Sequence, residues 1–330
     1  MGDQPAPTSA GGIDRRTLLR GAAALGAAAW AAGCGGSEGT AVRVTATAPQ
    51  AFALGRWRER ARLPRGRVDA AVVSLGGHVH VLGGATPEAP AADAHHVYDP
   101  RADAWRALPS LPRAMRGAGA ATGQGRIYVA GGIDETRRAV AAAHAYDPDA
   151  DAWEPLPPLP ASAPAPGLAV VEDLLVAVSG GRVWTLRTGD PAGGWSAGPP
   201  APAARSRPAV VALRNVVHVI GGREGREPSN RHDVFNPWED DWFAAAPLPT
   251  ARSSAAYAVL DGHAVVAGGV GRAGLTPRTE TYDRRTDLWT AVAPLPVARR
   301  GAGAAVVRGV LHVAGGGAAR PGARHDAFTR

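Results

Sequence analysis

The sequence predicts an all-β protein, a six-bladed β-propeller in which each blade is one four-stranded sheet. Three observations lead to this prediction: pairs of adjacent glycines recur along the chain, a pattern containing aromatic residues follows them, and helical periodicity is confined to the N-terminus. Successive pairs are 48, 49, 41, 47 and 47 residues apart. A period of this length indicates a repeat protein. The pairs begin at Gly83, Gly131, Gly180, Gly221, Gly268 and Gly315.

Each period contains four short strands, which we letter a to d. Strands a and b are apolar and are separated by a turn such as Leu75-Gly76-Gly77. The glycine pair ends strand b, a variable loop follows, strand c runs to a tyrosine or phenylalanine, and strand d opens on a tryptophan. A single four-stranded sheet cannot bury both of its apolar faces. Radial stacking of the copies buries them and produces a propeller.

The order of residues inside one repeat carries a family resemblance. The first copy reads Gly83-Gly84, then Tyr98-Asp99-Pro100, then Trp105, and full or degraded versions of this phrase return along the chain. This spacing resembles the Kelch repeat, and the resemblance covers residues 55–330. It implies that the glycines allow close approach of neighbouring backbones. It also implies that the tyrosine and tryptophan columns fill the space between blades.

A count of the tryptophans predicts how the ring closes. Trp57 precedes the first glycine pair, and no tryptophan follows the last pair. The last repeat therefore lacks its strand d, and the segment Arg56 to Leu63, before the first repeat, is an additional strand d. We predict that this N-terminal segment pairs with the strand around Ala323 to Phe328 and closes the propeller. The six tryptophans in register are Trp57, Trp105, Trp153, Trp195, Trp242 and Trp289.

Residues 1–33 have the pattern of a lipoprotein signal peptide. Arg15 and Arg16 precede an apolar run of about twelve residues, which is too short to span a bilayer, and they look like a twin-arginine export signal. The sequence ending at Cys34 resembles a bacterial lipobox, with Cys34 as the acylated residue. An ordinary signal peptide cleaved near the same place is the alternative. We therefore expect an extracytoplasmic protein anchored to the bacterial membrane by its N-terminal lipid, with residues 34–54 as a flexible tether.

The composition excludes several kinds of chemistry. Cys34 is the only cysteine, so an intramolecular disulfide is impossible. All 36 basic residues are arginines, which excludes Schiff-base and general-base chemistry by lysine. Copper oxidases of the galactose oxidase type need a cysteine linked to a tyrosine ligand, and we reject this activity because Cys34 lies outside the propeller. We expect no cofactor and no metal.

The arginines are predicted to lie mainly on one rim of the propeller. The d–a and b–c connections open on one rim, which we call the loop rim, and the a–b and c–d turns open on the other, the turn rim. The loop rim carries a charge of about +11 and the turn rim about −6. Strand a of each of the six blades begins near one central opening, the mouth. The electrostatic fields of the arginines add there and attract anions. The candidate ligand-binding residues are Arg67, Arg116, Arg205, Arg207, Arg252, Arg299 and Arg300.

Histidines also form columns in the repeat alignment. They belong to different blades and alternate with an aromatic residue, so we predict packing rather than metal ligation. One column contains His80, His218 and His312, and the other contains His95, His232 and His325.

Two functional classes stay open. The first is a binding module without chemistry of its own, whose partner is an anionic glycan, a wall polymer or an acidic protein surface. The second is a sugar-acid isomerase, because six-bladed Kelch proteins include periplasmic sialic acid epimerases, and fold alone does not decide between the two. Catalysis needs paired acid and base groups in the mouth, and only Asp69 is a candidate, so we favour binding. We expect a monomer that does not bind nucleic acid, since the basic rim has few aromatic residues for base stacking.

Overall fold

Residues 55–330 are described by the structure, a computed structural model. They form six antiparallel four-stranded sheets and two short hairpins, and this confirms the predicted six-bladed propeller. The only helical segment of this part is the 3-10 turn Pro191–Gly193. Arg15, Arg16, Cys34 and the tether lie outside the described residues, and the predictions for them stay predictions.

The first three blades take their strands in sequence order. Blade one contains β2 (Ala71–Leu75), β3 (His78–Leu82), β4 (His95–Asp99) and β5 (Ala104–Leu108). Blade two contains β6 (Gly119–Gly123), β7 (Arg126–Ala130), β8 (Ala143–Asp147) and β9 (Ala152–Leu156). Blade three contains β10 (Gly167–Val171), β11 (Leu174–Ser179), β12 (Arg182–Arg187) and β13 (Ser196–Ala197).

Blades four and five have an additional hairpin in the b–c loop. Blade four contains β14 (Ala209–Leu213), β15 (Val216–Ile220), β18 (His232–Asn236) and β19 (Asp241–Ala244), with the hairpin β16 (Arg223–Glu224) and β17 (Glu227–Pro228). Blade five contains β20 (Ala256–Leu260), β21 (His263–Ala267), β24 (Thr279–Asp283) and β25 (Leu288–Val292), with the hairpin β22 (Val270–Gly271) and β23 (Gly274–Leu275).

Blade six joins the two ends of the described chain. It contains β26 (Arg300–Val307), β27 (Val310–Gly317), β28 (His325–Thr329) and β1 (Arg56–Glu59), and β1 is its outer strand. Trp57 stands opposite Phe328 in the antiparallel register, and the Leu63 amide donates to the Ala323 carbonyl at 2.9 Å. The predicted closure is confirmed.

The tryptophan column ties each blade to the one before it. Trp105 Nε1 donates to the Ala61 carbonyl at 2.8 Å, and Trp153 Nε1 donates to the Pro109 carbonyl at 3.0 Å. All six tryptophans make the equivalent bond, and each acceptor follows strand d of the preceding blade. The indole therefore buries its apolar ring between two blades while its single donor is satisfied.

The glycine pairs supply a second hydrogen-bonded connection between blades. The Gly84 amide donates to the Met115 carbonyl of the next blade at 2.8 Å. Gly84 has φ of 93°, and a Cβ at this position would lie 2.8 Å from the Cβ of Ala70. Glycine is required there because no L side chain fits either the backbone angle or the space.

The six strands a surround the propeller axis. Their inner faces line an apolar channel of about 330 Å³ whose walls are mostly alanine and valine. The main hydrophobic clusters lie between neighbouring blades; one of them joins Leu82 of blade one to Ile127 and Tyr146 of blade two. Within residues 55–330, no helix has the length and apolar character needed to cross a membrane.

Candidate ligand-binding site

Four of the seven predicted binding arginines are buried in the blades. Arg67, Arg205, Arg252 and Arg299 are 1–3% exposed. They occupy one column just before strand a, and Met115 and Ala163 fill the same column in blades two and three. The prediction that these four strand-a arginines point at the central mouth is therefore wrong. Their side chains turn away from the axis and enter the body of their own blade.

The buried arginines brace strands b and c of the blade. Arg299 Nη1 donates to Asp326 at 2.7 Å and its Nη2 donates to the Val313 carbonyl at 3.1 Å. Arg205 pairs in the same way with Asp233, and Arg252 with Glu280. A guanidinium carries five donors in a planar fork, so one side chain satisfies a carboxylate and several carbonyl groups together.

Arg67 differs from the other three because no carboxylate of the described residues lies within ion-pair distance of it. It donates to the carbonyls of Gly83 and Ala94 at 3.2 and 2.7 Å, and it contacts His96 Nδ1 at 2.6 Å. Burial lowers the pKa of Arg67 to about 10, and Arg65 adds to this effect. The charge is held there by backbone dipoles and has no ion-pair partner among the described residues.

The axial mouth on the loop rim is crossed by an ion pair. Asp69 of blade one and Arg207 of blade four lie on opposite sides of a six-membered ring, and Arg207 Nη1 donates to Asp69 Oδ1 at 2.7 Å. Their side chains are 8% and 28% exposed. The remaining space at the mouth is only about 90 Å³. The sole acid predicted at the mouth is therefore engaged by an arginine.

A chain of backbone hydrogen bonds holds this mouth in shape. Gly117 donates to Asp69, Asp69 to Gly301, Gly301 to Ser254 and Ser254 to Arg207, with distances of 2.7–3.3 Å. All five residues have φ between 54° and 64°. Blade three, with Ala165 at this position, has no positive φ there and does not continue the chain. The ion pair is therefore held by a chain of backbone hydrogen bonds that connects five blades and is interrupted at blade three.

A large cavity lies on the loop rim between blades four and five. Its volume is about 820 Å³, and we call it the arginine cleft. Arg207 and Arg300 border it near the axis, and the hairpins β16–β17 and β22–β23 form its outer walls. Its charged and hydroxyl side chains are Arg207, Arg223, Arg226, Glu227, Ser253, Ser254, Arg272 and Arg300.

The charge of the arginine cleft is poorly compensated. Of its five arginines, Arg207 is paired with Asp69 across the axis. The one carboxylate in the wall, Glu227, lies 3.7 Å from Arg272, and both of these side chains are more than 70% exposed. Exposed pairs of this kind contribute little stability. Guanidinium groups in a concavity suit carboxylates, phosphates and sulfates, to which they donate in pairs. The cleft therefore has the geometry of an anion-binding site.

The structure brings only part of the predicted set together. Arg207 and Arg300 line the arginine cleft, whereas Arg116 lies on blade two and does not reach it. Three cleft residues, Arg223, Arg226 and Arg272, belong to the b–c loops of the loop rim and are not among the predicted site residues. The signal that could have found them is loop composition, because the b–c loops of blades four and five place arginines around internal glycines, a pattern that only blade six shares.

The histidine columns are buried, as predicted, but they also form hydrogen-bonded pairs. His80 Nδ1 lies 2.9 Å from His95 Nε2, and the pairs His218–His232 and His312–His325 have the same contact at 2.8 and 3.0 Å. Burial lowers the pKa of all six imidazoles to values of about 3 or 4. Within residues 55–330, no three His, Cys, Asp or Glu side chains are grouped so that they could hold a metal ion.

Comparison with known proteins adds one family match. The Kelch motif model matches residues 114–160, the segment that contains the four strands of blade two. No curated protein matches the chain. A Kelch motif in a propeller suggests a binding or interaction module. The chain is a six-bladed β-propeller that carries the Kelch motif.

Proposed function

We propose that this protein is an extracytoplasmic binding module that takes an anionic partner into the arginine cleft. The observation that carries the proposal is the cleft itself, a cavity of about 820 Å³ with five arginines and one glutamate in its wall. Arg207 and Arg300 come from two different blades and converge on one volume. The hairpins widen the basic surface beyond the axis, so that an extended anion is accommodated better than a single small ion.

The partner is an anionic glycan, a wall polymer or an acidic protein surface. These share carboxylate or phosphate groups spaced along a chain, which match arginines distributed along a cleft. The binding energy is mainly electrostatic, and exposed charge pairs are screened over about 8 Å at physiological ionic strength. Affinity must therefore fall as salt rises.

A calorimetric titration with defined probes tests the proposal. The probes are an oligogalacturonate, a poly(glycerol phosphate), a polyglutamate peptide and the neutral maltotetraose. We expect at least one anionic probe to bind and maltotetraose not to bind. Replacing Arg226, Arg272 and Arg300 by serine should lower the affinity about tenfold, because each exposed charge pair contributes about 0.2–1 kcal/mol.

The control variant removes the same number of charges elsewhere. Arg58, Arg101 and Arg187 are exposed and lie outside the arginine cleft. Their replacement by serine should leave the affinity within a factor of two or so of the wild type, because distant exposed charges are screened. Equal losses in both triple variants would mean that net charge, rather than the cleft, attracts the probe.

The membrane anchor is the second part of the proposal. It is supported by the twin arginines Arg15 and Arg16 and by the lipobox-like sequence that ends at Cys34. Replacing both arginines by lysine should retain the precursor in the cytoplasm, and Cys34→Ala should remove the lipid. Membrane fractionation after labelling with a fatty acid measures both effects. A wild-type protein that is unlabelled and freely soluble contradicts the anchor.

The sugar-acid isomerase is the alternative function. It needs a group at the ligand that can take and return a proton. In the arginine cleft Glu227 is the only carboxylate, and it is exposed beside Arg272. Incorporation of solvent deuterium into a bound uronic acid, followed by NMR and lost in Glu227→Gln, would favour this alternative over simple binding.

A further inference from the structure

The outer strand of blade five is an unprotected sheet edge. Strand d of every blade leaves one edge of its sheet unpaired, and native proteins protect such edges with charged residues, with proline or by keeping the strand very short. Five of the six outer strands have one of these features: β1 and β5 contain arginine, β9 contains Glu154 and Pro155, β13 has only two residues, and β19 contains Asp241. In β25, Leu288–Val292, every residue is uncharged and none is proline.

Large apolar side chains are exposed in the same region. Leu288, the first residue of β25, is 62% exposed, whereas β5 and β9 begin with the small residues Ala104 and Ala152. Among residues 55–330, the exposed large apolar side chains belong to blade four, to blade five or to the connection after β25. They are Trp238, Phe243, Leu288 and Val297. This part of the outer surface therefore differs from the charged outer strands of the other blades.

The repeat shows which backbone groups of β25 are unpaired. In three other blades the third residue after the tryptophan donates its amide to strand c, as in the bond from Ala245 to the His232 carbonyl at 2.9 Å. Val292 holds this position in blade five. The direction of the backbone groups alternates along a strand, so the amides and carbonyls of Trp289 and Ala291 point outward. They lie at the end of the sheet, beyond which no strand of the described chain is paired.

These outward groups match an identical strand that runs in the opposite direction. When two copies of β25 pair around a two-fold axis at Thr290, Trp289 of each copy lies opposite Ala291 of the other. Both pairs together use every outward amide and carbonyl of the two strands. Thr290 lies opposite its own equivalent, a favourable cross-strand pair, and Leu288 lies beside Val292 of the second copy.

The charge distribution also favours an antiparallel copy. β25 runs from the turn rim at Leu288 to the loop rim at Val292, because strand d follows the c–d turn. Antiparallel pairing therefore places the positive loop rim of one copy beside the negative turn rim of the other. We propose that β25 is a self-association surface, at which two copies of this protein pair edge to edge as an antiparallel dimer.

A concentration series tests the association. One strand pair makes a small interface, so the dimer should be weak and reversible. Sedimentation equilibrium of the lipid-free propeller, residues 55–330, which form one complete ring, should show a monomer at low concentration and a dimer as the concentration approaches about 1 mM. This result departs from the monomer expected from the sequence. The arginine cleft takes no part in the interface, so the outcome is independent of the proposed function.

A single cysteine tests the register. Cys34 is the only cysteine of the chain, so Thr290→Cys gives the propeller one thiol. Residues that face each other in a non-hydrogen-bonded antiparallel pair have Cα atoms about 4.5 Å apart, a distance that a disulfide spans. T290C should therefore form a disulfide-linked dimer under mild oxidation. The matched control is Arg106→Cys, at the same position of β5, which should cross-link only by random collision.

A proline tests the hydrogen bonds of the edge. Ala291→Pro copies Pro155 of β9, which the fold already accommodates. It removes one outward amide from each copy, and the association should weaken about tenfold. Ala107→Pro makes the same change in β5 and should leave the association unchanged. The proposal is overturned if the wild-type propeller stays monomeric throughout the series, if T290C cross-links no faster than R106C, or if A107P weakens the dimer as much as A291P.

Discussion

Arg299 and Arg300 are adjacent in the sequence and differ in almost every physical respect. Arg299 is 3% exposed, binds Asp326 and the Val313 carbonyl, and lies inside blade six. Arg300 is exposed and borders the arginine cleft. Successive side chains of an extended chain point to opposite sides. Two adjacent positions therefore hold a buried structural arginine and an exposed arginine that is available to bind a ligand.

The difference shows where function is located in a repeat protein of this kind. Polar residues that recur at one repeat position, such as Arg205 and Arg252, have partners at another recurring position, Asp233 and Glu280. The arginines Arg226 and Arg272 belong to b–c hairpins that only two blades possess. Recurring polar columns stabilise blades, and residues that break the repeat form clefts.

Breaking one buried pair is expected to have the largest effect. Arg252→Met leaves Glu280 as an unpaired carboxylate that is 2% exposed, and this should lower the free energy of unfolding by about 3–5 kcal/mol. The double variant R252M/E280H copies Met115 and His144 of blade two and should recover most of the loss. Arg226→Ser in the arginine cleft should change stability by less than about 0.5 kcal/mol. Chemical denaturation measures all three variants, and equal effects of R252M and R226S would abolish the distinction between the two groups.

The buried histidine pairs predict a pH dependence of stability. The unfolded chain takes up protons near pH 6.5, whereas burial lowers the pKa of folded His218 to about 3 and of His232 to about 4. Between these limits the unfolded state binds more protons, so the free energy of unfolding falls as pH drops below 6.5 and is insensitive to these groups above it. Each histidine contributes up to about 1.4 kcal/mol per pH unit.

A variant of one junction isolates this effect. The triple variant H218V/H232T/Y282F copies Val265, Thr279 and Phe328 of the blade five–six junction. It should lose about a quarter of the histidine contribution to the slope of unfolding free energy between pH 6.5 and 5, since His218 and His232 are two of the eight histidines whose pKa is lowered by burial. Denaturation curves at several pH values provide the measurement. An unchanged slope would mean that the histidine pairs do not control acid stability.

The repeat pattern predicted the fold closely because its spacing is a local property of the sequence. The glycine and tryptophan columns were sufficient to place the blades, and the isolated Trp57 was sufficient to predict closure by β1. The site was predicted less well. The direction of Arg67, Arg252 and Arg299 depends on the partner available in strand c, which is about thirty residues away in sequence, and counting charge on a rim cannot distinguish a buried guanidinium from an exposed one.

The histidine columns illustrate the same limit. Their burial followed from alternation with an aromatic residue, which is Tyr128 at the position of His80 in blade two, and packing was predicted correctly. The hydrogen bond between His80 and His95 depends on the register of β3 with β4. Sequence periodicity does not determine which residues of the two strands lie opposite each other. A signal was nevertheless present, because a tyrosine rather than phenylalanine or leucine follows in the next blade wherever a histidine pair occurs.

The substitution Asp69→Asn is expected to have the smallest effect. It tests Arg207, which lines the arginine cleft but, like the buried arginines, is paired with an acidic side chain. Arg207 lines the arginine cleft and is also held by Asp69 across the axis at 2.7 Å. Asparagine tolerates the φ of 57° at this position, so the backbone ring should persist. Loss of the ion pair should cost up to about 1 kcal/mol of stability. The released guanidinium should raise the affinity of an anionic probe for the arginine cleft by up to about fivefold.

The matched control for this variant is Asp93→Asn, which removes one negative charge from an exposed side chain of the same rim. Both variants change the net charge equally, but only Asp69 contacts Arg207. Calorimetry with the tightest-binding anionic probe should therefore show a larger gain for D69N than for D93N, and raising the salt concentration should reduce both gains because the charges are screened. If the two variants gain equally, the axial ion pair does not compete with the ligand for Arg207, and the mouth and the arginine cleft act independently.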